Sequence, residues 1–141
     1  MSEAFVLDAS IAFSWVLPTQ ASSEADVLLT RIESGVTPVV PTLWYLEVAN
    51  GLLAAQRRRL LSGVERRAAL TQLAGLSLVA EEMEGRAAFE RVSSLAERSR
   101  LSVYDAVYLD LALRRRLPLA SRDRKLMAAA KRSGLPALDA R

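Results

Sequence analysis

The chain has 141 residues, 51% of them hydrophobic, which suits one domain with a continuous core and excludes disorder. It contains no cysteine and no histidine, so disulfides, thiolate nucleophiles, serine-histidine triads and zinc sites built on imidazole or thiolate are all excluded. Nineteen basic residues against sixteen acidic ones leave a formal charge of +3, mildly favourable to a polyanionic partner. No basic-then-apolar leader opens the chain, and no apolar stretch approaches the roughly 20 residues of a membrane helix. The expectation is a soluble, cytoplasmic protein with no membrane segment.

In chain order, Ala4 to Leu7 is predicted as a short buried strand and Ser10 to Val16 as a helix stopped by Pro18, since proline disfavours helix in the residue before it. A helix from Ser22 to Ile32 ends at Gly35. Pro38 to Pro41 is a strand bracketed by prolines, and Thr42 is predicted to cap a helix running to about Arg58. Ser62 to Leu73 is helical, with Ser62 and Glu65 spaced as a capping box. Leu76 to Val79 is the third strand, and Glu84 to Arg98 a helix whose Ala88, Val92, Leu95 and Ala96 share a face. Ser102 opens a helix that is apolar nearly all round from Val103 to Leu113 and should be buried. Leu117 to Ser121 is a strand, Arg124 to Arg132 a helix ending at Gly134, and Ala137-Leu138 an edge strand. Short apolar strands alternating with helices predict one α/β domain over residues 1–141, with three α/β/α layers and a short, mostly parallel central sheet.

Four acids interrupt apolar surroundings: Asp8, Glu47, Asp105 and Asp123. An ionised carboxylate withdrawn from water is costly without a cation or good donors, and a divalent metal is the simplest explanation shared by all four. Asp8 and Asp123 each follow a strand, at the edge where parallel sheets place ligands, yet either acid also fits as a helix cap. Asp105 lies three residues after Ser102, as in a capping box. Glu47 is harder to explain locally. No Lys or Arg stands at i±3 or i±4 to pair with it, while Asn50 is its neighbour on the same face and Gly51 leaves room beside it. Asp110 lies about 140° round the helix from Asp105 and is not expected to join the set. Glu81, Glu82 and Glu84 form an acidic cluster at a loop and helix start, where the dipole accounts for them. Arg57 to Arg59 and Arg114 to Arg116 complement helix ends, whereas Arg122, Arg124 and Lys125 surround Asp123 at a helix start, where cations are disfavoured unless something negative is near.

Taken together, Phe5-Val6-Leu7-Asp8-Ala9-Ser10, Leu46-Glu47-Val48-Ala49-Asn50, Ser102-Val103-Tyr104-Asp105-Ala106-Val107-Tyr108-Leu109-Asp110 and Leu119-Ala120-Ser121-Arg122-Asp123-Arg124-Lys125-Leu126 resemble a PIN domain, specifically the VapC-type toxin of bacterial toxin-antitoxin pairs. The resemblance covers essentially the whole chain, and its tyrosine-aspartate-alanine helix followed by a strand ending in Ser-x-Asp is the most specific part. It implies a compact nuclease whose residues matching Asp8, Glu47, Asp105 and Asp123 form an acidic pocket binding Mg²⁺ or Mn²⁺. Residues matching Ser10 and Ser121 are polar helpers. The family often has threonine at the Ser121 position, and serine keeps the hydroxyl.

The expected activity is that of a metal-dependent endoribonuclease. Asp8 and Asp105 are expected as direct metal ligands. Glu47 and Asp123 would serve as water-holding, second-metal or general-base groups. Ser10, Ser121, Arg122, Arg124 and Lys125 are expected to bind the RNA substrate. A small antitoxin covering the site and a homodimer follow from the resemblance, with Leu52, Leu53, Leu60, Leu61, Trp15, Trp44 and Tyr45 as apolar residues available for contact. Two rivals stand beside this reading. One is a non-catalytic RNA- or partner-binding module of the same fold. The other is an aspartate-dependent phosphatase of the haloacid-dehalogenase type, which needs an acid two residues after Asp8 where this chain has Ser10.

Overall fold

The structure, a computed structural model, describes residues 4–141. Its strands are β1 (Val6–Leu7), β2 (Val39–Pro41), β3 (Val79–Glu81), β4 (Leu119–Ser121) and β5 (Ala137–Asp139). They form one sheet in the order β3-β2-β1-β4-β5, with every pairing parallel. The helices are α1 (Ala9–Val16), α2 (Ser23–Glu33), α3 (Leu43–Arg57), α4 (Gly63–Ala74), α5 (Gly85–Ala87), α6 (Ser93–Ser99), α7 (Val103–Arg115) and α8 (Arg124–Arg132). A 3-10 turn at Pro18–Gln20 follows α1, and a π-turn at Ala88–Val92 joins α5 to α6.

Parallel strands need crossover connections, so helices cover both faces and the central strands are apolar on both sides. Phe5, Val6, Leu7, Val40, Leu119 and Ala120 are fully buried, as are Leu109 and Tyr108 of α7. Each large apolar side chain so buried contributes on the order of 1.5–3 kcal/mol. The all-round apolar pattern of α7 is explained by its burial from Ala106 to Ala112. The result is a three-layer α/β/α domain.

Sheet growth reverses at β1: β2 and β3 are added on one side, β4 and β5 on the other. The carboxyl ends of β1 and β4 therefore flank the switch point, where open α/β sheets form their ligand crevice. Serine hydroxyls cap three of the helices. Ser22 caps α2, Ser62 and Glu65 make a reciprocal capping box on α4, and Ser102 caps α7.

Four local expectations are corrected. Thr42 precedes α3 with helical backbone angles and its side chain accepts no amide, because a hydroxyl reaches back to the first turn only from extended backbone. The third strand begins at Val79 rather than Leu76. Its pairing sets Val79 opposite Val39, while Leu76 and Leu78 pack on the core from the preceding loop. The space at Gly51 belongs to the Phe13 ring, since a Cβ there would lie 2.1 Å from the Phe13 Cζ. Among the apolar residues expected to be available for partner contact, Trp44, Leu52 and Leu61 are core residues, whereas Tyr45 and Leu60 are exposed.

A candidate acidic site at the switch point

Asp8 stands at the N-cap position of α1 but its side chain makes no cap hydrogen bond. Its Oδ2 instead accepts from Ser10 Oγ at 2.6 Å and from Ser121 Oγ at 2.7 Å. Ser121 ends β4, so the pairing of Leu7 with Ala120 is what delivers its hydroxyl to Asp8. Ser10 Oγ also accepts the Arg122 backbone N–H at 3.0 Å, tying the β4–α8 junction to α1. Asp8 is only 6% exposed. Burial pushes its carboxyl above the ordinary range, against the bonds from Ser10 and Ser121, and repulsion from Asp123 adds to the shift.

Asp123 does cap its helix, with Oδ1 accepting the Leu126 N–H at 3.0 Å. Its backbone N–H donates to Ser121 Oγ at 2.9 Å. Capping and a place beside the other acids are compatible, because the cap engages one carboxylate oxygen. Asp105 is in the first turn of α7, its amide held by Ser102 Oγ at 3.1 Å. Burial, then repulsion from Asp8 and Asp123, pushes its carboxyl up to about 6, with Ser102 and Lys125 opposing.

Glu47 has a partner that local sequence spacing does not reveal. Its Oε1 accepts from Tyr108 Oη at 2.5 Å, across from α7 to α3. Tyr108 is fully buried, and burial together with the Glu47 bond raises its pKa, so it stays a donor. Burial also raises the Glu47 pKa. The Tyr108 bond opposes that rise, and Asp8 and Asp105 add to it. Tyr108 is the site residue missed in the sequence. The available signal was a hydroxyl three residues after Asp105, on the same helical face.

These repulsions connect all four acids, yet among the described residues none of them forms an ion pair. Asp110 is the contrast. It is 3% exposed and accepts from Arg91 Nε at 2.8 Å and Arg114 Nε at 2.9 Å. Burial would raise its pKa, but the two arginines outweigh that and hold it below the usual carboxylate range.

Among the described residues, no three acids are gathered closely enough to hold a metal ion between them. Repulsion opposes closer approach, and Asp8, Glu47 and Asp123 each have one oxygen engaged by a hydrogen bond. A set of carboxylates alone fits a hard cation that keeps several water ligands, as Mg²⁺ does, and offers nothing of the nitrogen or sulfur that zinc prefers. The basic residues grouped in sequence around Asp123 are separated in space. Lys125 acts on Asp105. Arg122 turns toward Gln20 on the 3-10 turn, Nη1 to Oε1 at 3.4 Å, and Arg124 is exposed.

A family model described as PIN domain matches residues 5–132. No match is found among curated proteins. The fold is similar to that of PAE2754 from Pyrobaculum aerophilum, with a TM-score of 0.73 at 21% identity over 97% of this chain and 84% of that one. It is similar to FitAcB from Neisseria gonorrhoeae, with a TM-score of 0.62 at 17% identity over 94% and 95% of the two chains. A toxin-antitoxin complex from Klebsiella pneumoniae gives 0.57 at 21% identity over 88% and 90%.

Proposed function

The chain belongs to the PIN-domain family, whose members are generally nucleases, and from that premise we propose that it is a Mg²⁺- or Mn²⁺-dependent endoribonuclease and the toxic component of a toxin-antitoxin pair. The observation that carries this reading is the contrast between Asp110, neutralised by two arginines, and the four switch-point acids, which repel one another without an ion pair. A bound divalent cation would offset that repulsion, lower the pKa of a water molecule and neutralise phosphate charge.

In this proposal Asp8 and Asp105 are the direct ligands. Two hydroxyls fix the Asp8 carboxylate, so little side-chain freedom is lost on binding. Glu47, oriented by Tyr108, and Asp123, steadied by α8, hold the attacking water and accept its proton. Lys125 offsets negative charge beside Asp105, and Ser10, Arg122 and Arg124 bind the RNA strand, while the expected contact from Ser121 is corrected: its hydroxyl is fully buried and acts by holding Asp8. The similar Klebsiella structure is a toxin-antitoxin complex, which supports an antitoxin partner here. A basic side chain of that partner, inserted among the acids, would supply their missing counter-charge. The toxin acts in the cytoplasm as a homodimer.

The test is cleavage of single-stranded RNA by the purified chain. Expected is cleavage that requires Mg²⁺ or Mn²⁺, stops with chelator and falls by about 100-fold or more in Asp8→Asn. Metal-independent cleavage, or full activity in Asp8→Asn, would overturn the proposal.

A further inference from the structure

We propose that a second phosphate subsite lies beside the acidic site, in a cavity of about 600 Å³ between the 3-10 turn and the β4–α8 junction, and that it holds the backbone phosphate of an RNA nucleotide next to the one cleaved. The inference rests on the ribonuclease reading. The cavity is lined by Ser10, Thr19, Gln20, Arg122, Asp123 and Arg141. Ser10 and Asp123 are shared with the acidic site, so a strand bound over Asp8 continues into it.

Arg122 supplies the first argument. A guanidinium has five N–H donors, and desolvating one without a partner is costly. The Arg122 Nε is cut off from solvent and has no hydrogen-bond partner among the described residues, and the Nη1 bond to Gln20 is at the long limit of a hydrogen bond at 3.4 Å. That one N–H has lost water and gained no protein acceptor, while the rest of the half-buried guanidinium stays accessible from the cavity. A phosphate in the cavity would draw the guanidinium into charge-assisted bonds. Arg141 supplies the second argument. Asp139 occupies its Nε and Nη2, leaving Nη1 without a partner while the residue lines the same cavity. Two guanidiniums, the Thr19 hydroxyl and the Gln20 amide thus face the Asp123 carboxylate, which is partly engaged in capping α8, while Asp139 pairs with one side of Arg141 and the Ser10 hydroxyl is held by Asp8 and the Arg122 N–H. Such a lining selects a tetrahedral oxyanion rather than an apolar or cationic group.

The consequence is that one flanking phosphate matters for binding. The experiment uses the whole chain carrying Asp8→Asn, with fluorescence anisotropy of labelled RNA over a salt series. A dinucleotide bearing a terminal phosphate is expected to bind about tenfold tighter than the same dinucleotide without it. On longer RNA, adding Arg122→Gln or Arg141→Gln should weaken binding about tenfold and reduce the salt slope by roughly 1. Arg67→Gln, on α4 and outside the cavity, is the control for bulk charge. A loss in Arg67→Gln equal to that in Arg141→Gln, or no loss in Arg141→Gln, would overturn the subsite. Arg141 is exposed, so its variant keeps the test informative where Arg122→Gln fails to fold. If the wild-type chain neither binds nor cleaves RNA with Mg²⁺ or Mn²⁺ present, inorganic phosphate raising the melting temperature in an Arg141-dependent way would retain an anion site and refute the ribonuclease reading. Neither response would refute both.

Discussion

Asp8 is held by two serine hydroxyls, and hydroxyls do not neutralise a buried carboxylate. Asp105 bears the same cost in a form that pH can read. Its folded pKa, about 6, lies above the ordinary value of 3.8, so its contribution to stability is fully present below 3.8 and is lost as pH rises through 6. In metal-free buffer, the melting temperature of the wild type minus that of Asp105→Asn should therefore fall as pH rises from 4 to 7. A flat difference across that range would refute the raised pKa. Adding Mg²⁺ or Mn²⁺ at pH 7 should raise the melting temperature of the wild type, and much less that of Asp8→Asn or Asp105→Asn. An equal response in all three proteins would remove these acids from the metal site.

Between elements, the packing of α1 on α3 depends on a residue with no side chain. Gly to Ala inside a helix ordinarily gains up to about 1 kcal/mol. At Gly51 the new methyl would meet the Phe13 ring at 2.1 Å, so overpacking reverses the sign. Gly51→Ala should lose about 1–3 kcal/mol in urea unfolding, with much of the loss absent when Phe13→Leu is already in place. The sequence shows the glycine but not the ring that needs its space. Capping boxes are the opposite case. Ser62 and Glu65 are three residues apart, and their bonds close within one helical turn, so the motif is legible without tertiary information. The start of β3 is not legible, since Leu76, Leu78 and Val79 are similarly apolar and only pairing with β2 selects Val79.

Across the molecule, the acids divide by what the fold brings to them. Asp110 joins α7 to the π-turn through Arg91, and Arg114 extends the network to Glu81 on the edge strand β3. Its lowered pKa stabilises the fold above the unfolded value of 3.8, a contribution lost as pH falls below it, the reverse of Asp105. Both arginines remain partly exposed, so Asp110→Ala should cost about 1–2 kcal/mol. Its metal-induced rise in melting temperature should nevertheless match that of the wild type, and loss of that rise would place Asp110 in the site after all.

The chain by itself determined the chemistry open to it. Without histidine or cysteine, any metal it binds is left to oxygen ligands, and the carboxylates in apolar runs were identifiable because their burial is costly wherever they fold. Local hydrogen bonds made the starts of α2, α4, α7 and α8 readable, because donor and acceptor lie within four residues. Only the tertiary structure decided that Ser121 reaches Asp8, that Tyr108 reaches Glu47 and that Arg122 parts from Lys125. Those contacts depend on β4 lying beside β1 and on the Tyr108 side chain of α7 reaching across to α3, and such long-range pairings are set by the joint packing of the core rather than by any local pattern of residues.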